Sequence, residues 1–522
     1  MDGNGQLQTL DFAVLVAYMV GVFGFGCMFA WKSGTTNEFM AAGRSLPGWA
    51  VGLSVFGTFV SSIGFLGNTG KAFGGTWNSW VFGLSMPIAA LVAVKYFIPI
   101  YRSGEEVSAY YHLEKRFGPW ARMFALVGYL LSQIARIGTI LYMVALALAP
   151  LTGGDIKTII YITGLLVTLY TLIGGIEAVI WTDVVQSVVL VGGALLCAAV
   201  LLVGGGPRLF EIAAENNKFS LGSFSMQPST LLSESPTFWM VLIYGVFINL
   251  TNFGIDQSFV QRYVTAKTDR DAKFSVWLAC LLFPVVSALF FFIGTGLYSY
   301  AKEDPEFLQQ VQASVRANLP EDMPAEEVAE KISIEKIGDK VLPQFIISRL
   351  PTGVAGLLIA AIFAAAMSSM DTSLNSGATL VLCDIHKRYI HPDAGERESM
   401  RVLYGATLFF GVAGTLTALA MTKVESALDM WWILQGAFTG GMLGLFLLGL
   451  ISRKAQNPQA MLAVSIGVLI VLWMSLKADW LPASLAPMAN PLHPLMTNVV
   501  GASSIVLIGV LAASIWKPAN KA

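Results

Sequence analysis

Residues 360–376 read AAIFAAAMSSMDTSLNS. The segment is apolar enough to sit in a bilayer, yet Ser368, Ser369, Asp371, Thr372, Ser373 and Asn375 fall within about two helical turns. Positions three and four apart share a helix face, so Ser368 lies beneath Asp371 and Thr372, with Ala365 one turn before Ser368 and Ser369. A column of hydroxyls, a carboxylate and nearby carbonyls offers oxygen ligands to a hard cation of the Na+ type. The hydroxyls alone are equally well explained as small packing residues bonded to the preceding turn. Asp371 tips the balance, because a carboxylate inside a membrane span is costly and marks an ion or proton path.

The rest of the chain supports a membrane setting. Of 522 residues, 55% are hydrophobic and only 12% charged, where a soluble chain carries about a quarter. Mean hydropathy is +0.66 and the formal net charge −1, so no basic surplus points to nucleic acid. Cys27, Cys197, Cys280 and Cys383 sit in or beside apolar runs without a paired spacing, which argues against disulfides, zinc and iron–sulfur clusters. His112, His386, His391 and His493 fall in or near loops, so paired haem ligands inside spans are absent. No nucleophile, base and orienter set stands out, and an enzyme is not expected. The first eleven residues, MDGNGQLQTLD, lack the basic start of a signal peptide.

Apolar runs of about 20 residues predict thirteen spans. They cover residues 12–31, 49–69, 80–101, 120–151, 158–173, 178–203, 238–259, 274–298, 353–382, 402–421, 430–450, 460–476 and 499–516. Lys and Arg gather in every second connection: Lys32 and Arg44, then Arg102, Lys115, Arg116 and Arg122, then Arg262, Lys267, Arg270 and Lys273. Lys387, Arg388, Arg397 and Arg401 follow, then Arg453 and Lys454, and Lys517 and Lys521 in the tail. By the positive-inside rule the N-terminus lies outside and the C-terminus inside. The long connections 204–237 and 301–352 are then external, the second with short amphipathic helices.

Four other spans carry unusual polar groups. The second, SVFGTFVSSIGFLGNTG over 54–70, combines Gly57, Gly64, Gly67 and Gly70 with Thr58, Ser61 and Ser62, a composition that fits a broken helix with open carbonyls and equally close helix packing by small residues. Broken helices at mid-membrane are where secondary transporters bind ions and substrate. In the fourth, Arg136 has two to three apolar turns on either side; a guanidinium there is suited to gripping a substrate carboxylate through two parallel bonds, with a structural acid as the nearly equal alternative. The sixth opens on Gly174 and Gly175 and presents Asp183, the natural partner of Asp371 across one ion. The seventh ends in FINLTNFGIDQSFVQRY, where Asp256 and Gln257 suit a gate or cap as well as a ligand contact.

Together, GRSLPGWAVGLSVFGT, GGIEAVIWTDVVQ, DQSFVQRY and LLIAAIFAAAMSSMDTSLNS make the whole chain resemble the sodium:solute symporters. Within that family the likeness is strongest to the bacterial sialic acid transporters, which share the patterns at 53–56, 61–62, 176–183 and 360–366 and an arginine at the position of Arg136. The resemblance implies a leucine-transporter fold: an all-α protein with an extra helix at 12–31, inverted five-helix repeats at 49–203 and 238–450, and two further helices at 460–516. It implies one sodium site from backbone oxygens of Gly57, Val60 and Ala365 with Ser368 and Ser369. A second site maps onto Asp183, Ser368, Asp371 and Thr372, where Asp371 replaces a serine and could carry a proton instead.

The substrate positions implied are Phe59, Ser61, Ser62, Gly64, Trp80, Leu84 and Arg136. Phe59, Gly64 and Leu84 are less polar than the sialate pattern, which leaves room for a less hydroxylated carboxylate. The sugar-transporting branch matches only at Asn249; its other polar positions fall on Gly64, Gly83 and Asn252. The expectation is a monomeric symporter of the inner membrane, importing a small organic anion with one or two Na+. A sugar symporter is the alternative, and a non-transporting sensor less favoured, since no kinase-like extension is read after Trp516.

Overall fold

The structure, a computed structural model, describes residues 8–31, 34–104, 106–227, 229–230, 235–316, 319, 323–422, 427–476 and 489–516. The basic residues Lys32, Lys517 and Lys521 lie outside these. Among the described residues the fold is helical, and the one β pairing is an isolated bridge between Leu46 and Ala266.

In chain order the main helices are α1 (Thr9–Cys27), α2 (Gly48–Phe59), α3 (Ser62–Gly74), α4 (Trp77–Arg102), α5 (Pro119–Thr152) and α6 (Ile156–Gly205). They continue with α7 (Phe238–Ile255), α8 (Gln257–Thr265), α9 (Asp269–Glu303) and α10 (Val354–Ile390). The last four are α11 (Glu396–Met421), α12 (Ala427–Ile451), α13 (Asn457–Met474) and α14 (Met496–Ile515). Among the described residues ten helices are individually long and apolar enough to cross a membrane, and α2 with α3, bent by 51°, makes eleven. The 50-residue α6 is far longer than the roughly 20 residues one crossing needs. It breaks at Gly175, whose φ of 59° and ψ of −161° only glycine holds without strain. Tyr170 and Thr182 both lie within 4 Å of where a side chain on Gly26 would begin, although twelve residues of straight helix would part them by roughly 18 Å, so α6 bends sharply there.

Burial sorts the helices into layers. In its most apolar stretch α10 is 89% buried, whereas α1 and α14 are 22% buried and turn most of their surface outward. The helix with the most polar groups is therefore the central one. α6, α5, α1 and α11 pack around it, and α9 lies along α2 and α3. The N-terminus of α10 has no cap of its own: Gly353 takes φ 87°. Asp11 of α1 supplies it, accepting from the Gly353 and Gly356 N–H groups at 2.6 and 2.9 Å, which ties the outermost helix to the central one. The amphipathic pieces expected in 301–352 are Pro305–Arg316, Ala325–Lys331 and Gly338–Arg349, the last packed against the end of α3.

Candidate functional site

Two breaks face each other near the centre. α2 ends because Val60 (φ −93°, ψ 85°) and Ser61 (φ −86°, ψ 169°) leave helical space, and Ser61 Oγ restarts α3 by accepting from the Gly64 N–H at 3.2 Å. α7 stops at Ile255, and Asp256 starts α8 as its cap, accepting from the N–H and hydroxyl of Ser258 at 2.8 and 2.5 Å. Between the breaks lies a cavity of about 190 Å³, room for on the order of ten waters rather than a packing fault. Thr58, Phe59 and Ser61 line it from one break, Thr251, Asn252, Asp256 and Phe259 from the other, and Ser132, Gln133 and Arg136 from α5.

The cavity has two unlike walls. On one, Phe59 packs against Phe253, Phe259 and Phe283 with ring centroids 4.6 to 5.6 Å apart. On the other, Arg136 donates from Nη2 to the Thr58 carbonyl at 3.1 Å, one of the carbonyls opened by the break, and makes no ion pair among the described residues. One turn away, the buried Gln133 Oε1 has no hydrogen-bond partner. An unpaired guanidinium beside an unmet amide and an aromatic face suits a small anion with an apolar side.

Beneath the cavity, α10 meets α6 and α2 in a fully buried polar cluster. Asp183 accepts from Ser368 Oγ at 2.5 Å, from Ser54 Oγ, and from Arg262 Nη2 at 2.8 Å. Arg262 also donates to Ser54 Oγ at 2.7 Å, Thr372 Oγ1 at 2.6 Å and the Ser258 carbonyl at 2.7 Å. Gly57 lies directly over this group, since a Cβ there would stand 3.0 Å from Ser368 Oγ and 3.1 Å from Ser187 Oγ. Ser369 Oγ donates to the Ala365 carbonyl at 3.3 Å, one turn back. Asp371 is held separately, by Tyr170 Oη at 2.6 Å, with the buried and unpartnered Tyr18 hydroxyl of α1 nearby. Asp183, Asp371 and Arg262 are each 0% exposed, so two buried carboxyl groups lie in this region and, among the described residues, Arg262 is ion-paired with Asp183 alone.

Gly57, Asp183, Ser368 and Thr372 are thus brought together, with Ala365 and Ser369 beside them, Val60 at the break itself and Asp371 on its own tyrosine. Phe59, Ser61 and Arg136 line the cavity; the Ser62 side chain lies outside the described residues. Gly64, Trp80, Leu84 and Asn249 are not in its lining: Trp80 Nε1 donates to the Pro284 carbonyl at 2.9 Å, Leu84 is 36% exposed, and Asn249 Nδ2 donates to Ser85 Oγ at 2.9 Å. Two residues were not foreseen. Arg262 falls by charge pattern among the cytoplasmic loop charges, yet it is wholly buried two turns into α8; the signal was its place just after a break and a capping Asp256. Tyr170 offered only a lone hydroxyl in an apolar run.

Paired helix breaks around a polar cavity, in an all-helical membrane-spanning chain, define the architecture of a secondary transporter. The chain belongs to the sodium:solute symporter family, whose family model matches residues 39–467. It is 32% identical to the sodium/sialic acid symporter SiaT of Proteus mirabilis, over 98% of this chain and 96% of that one. It is 28% identical to the sodium-coupled monocarboxylate transporter 2 of Bos taurus, over 95% of this chain and 76% of that protein. A solved structure of a Na+-coupled sialic acid symporter, substrate-bound and outward-open, superposes with a TM-score of 0.82 at 30% identity, covering 99% of this chain and 100% of that one. The protein is therefore a sodium-coupled symporter of a small solute, with Na+ as its coupling ion.

Proposed function

We propose that the solute is a small organic anion, sialic acid or another carboxylate, imported by alternating access, with Arg136 as the group that binds the carboxylate. The observation that carries this is a guanidinium at a cavity between two helix breaks, with no ion pair among the described residues. Relatives that take sialic acid or monocarboxylates fit the same charge. Ser61, Gln133 and Asn252 would meet the polar atoms of the solute, and the Phe59 cluster its apolar face.

Sodium binds first in this reading, at Ser368 and Ser369 with carbonyls of Gly57, Val60 and Ala365, joining α10 to the broken α2. It stabilises the state that accepts the anion, so the two ligands favour each other. A second cation, Na+ or H+, balances the extra charge at Asp371, within the set Asp183, Ser368, Asp371 and Thr372. Each net positive charge carried inward draws about 2.3 kcal/mol from every 100 mV of membrane potential. The matching breaks in α2/α3 and α7/α8 support inverted repeats over 49–203 and 238–450. Reading α6 as two spans and α12 as one gives thirteen, with the N-terminus outside, the C-terminus inside, the inner membrane as the site and the monomer as the working unit.

The test is uptake into proteoliposomes under an inward sodium gradient, presenting labelled sialate, a short monocarboxylate and glucose side by side. Uptake of one of the acids, competed by other carboxylates, is expected. Uptake of glucose alone overturns the anion reading and makes Arg136 structural.

A further inference from the structure

The far end of α10 carries a cluster of ligand atoms that transport does not use. Its last ten residues, Val381–Ile390, are wound as a π-helix, whose bonds join residues five apart. The His391 N–H closes on the His386 carbonyl at 2.8 Å across such a step. In an α-helix, residues five apart would point roughly 140° away from each other; the wider winding instead turns both imidazoles toward the first turn of α11. There they meet one carboxylate. His386 Nε2 stands 2.9 Å from Glu398 Oε1, and His391 Nδ1 stands 2.9 Å from Glu398 Oε2. A tight turn, with the Ala394 N–H on the His391 carbonyl at 3.1 Å, sets this register between the two helices.

We propose that His386, His391 and Glu398 form a binding site for a divalent transition-metal ion of the zinc type. Two imidazole nitrogens and one carboxylate oxygen are a three-ligand set that zinc accepts, with water in the fourth position. The three ligand atoms already lie within 4.8 Å of one another. Ligands around a tetrahedral zinc stand about 3.4 Å apart, so the present hydrogen-bonded spacing needs only a small opening. Imidazole selects Zn2+, Cu2+ or Ni2+ over Na+, Mg2+ and Ca2+, which separates this site from the sodium ligands further along the same helix. Access is open, since His391 is 53% and Glu398 39% exposed. The neighbouring Arg388 is engaged by Glu114 at 3.0 Å rather than set against the ion. The absence of paired cysteines therefore does not exclude zinc from this chain.

The full-length protein, purified with any histidine tag removed, is dialysed against micromolar Zn2+ and the bound metal counted. One Zn2+ per chain is expected, with Co2+ in its place giving the intense visible absorption of a four-coordinate ion. His391→Ala, at a position 53% exposed, weakens binding by at least about tenfold, and Glu398→Gln removes the cobalt band. Sodium-dependent thermal stabilisation serves as the folding control for both variants. Wild-type protein that binds no Zn2+, or variants that bind it as tightly as wild type, would show a plain hydrogen-bonded triad with adventitious metal and overturn the proposal.

Discussion

Replacing Arg262 by methionine keeps most of the side chain's volume and removes the cation that pairs with Asp183. The carboxylate loses its 2.8 Å bond to Nη2 and keeps only the hydroxyls of Ser54 and Ser368. Ser54 and Thr372 lose donors at 2.7 and 2.6 Å in the same step. Stranding one member of a buried pair costs roughly 3–5 kcal/mol, and both partners here are fully buried. Asp183→Asn in the same chain removes the stranded charge, so the double variant is more stable than the sum of the single changes by roughly 1–3 kcal/mol. Sodium enters as a second handle: with Arg262 gone, two carboxylates share the pocket and Na+ stabilises the variant more than it does the parent. Unfolding in mixed detergent micelles, followed at low and high Na+, reads all three quantities. A loss below about 1 kcal/mol for Arg262→Met, or strict additivity in the double variant, would refute the buried pair.

Gly57→Ala places a methyl 3.0 and 3.1 Å from Ser368 Oγ and Ser187 Oγ, closer than ordinary contact, so those hydroxyls must shift by a few tenths of an ångström and the sodium concentration for half-maximal uptake rises. Asp371→Ser removes the surplus charge; apparent sodium affinity falls by roughly tenfold, or 1.4 kcal/mol, and any proton dependence of uptake disappears with it, both measured as uptake against Na+ at several pH values. At Glu114, between the spans, burial pushes the carboxyl up, but bonds from Arg122 and Arg388 outweigh it and hold the group below the usual range. A carboxyl depressed in the folded state contributes fully above its unfolded value of about 4.3 and loses that contribution as pH falls through the folded value. Glu114→Gln therefore flattens the acid limb of thermal stability and leaves the neutral plateau lower. Gly175→Ala forces a side chain into φ 59°, ψ −161° and onto Phe39 at 3.0 Å, costing about 1–3 kcal/mol in backbone strain alone, and is read as loss of folded protein after heating.

Much of this site was legible because its residues break local rules. Glycines and hydroxyls in a span mark the break at Val60, and an isolated arginine between apolar turns marks the cavity wall, since in a bilayer each must have a reason. Arg262 was hidden for the opposite cause. Charge near the end of a span is the normal cytoplasmic signal, and it is the packing around α8, all nine of whose residues are buried, that encloses it. The partition of the two carboxylates, Asp183 to Arg262 and Asp371 to Tyr170, depends on side chains more than 70 residues apart and leaves no local trace. The same holds for Trp80 and Asn249, whose polar atoms are satisfied by Pro284 and Ser85 outside the cavity lining. The histidine pair needed a π-wound turn that hydrophobic periodicity does not reveal.

The most direct test of a sodium-driven anion symporter is paired uptake by wild-type protein and Arg136→Ala in proteoliposomes, with the inward gradient made of Na+ or of K+. Accumulation of a labelled carboxylate that requires Na+ and vanishes in Arg136→Ala, while sodium still stabilises the variant against heat, is the expected result. Equal uptake by the variant, or equal uptake with K+, would contradict it.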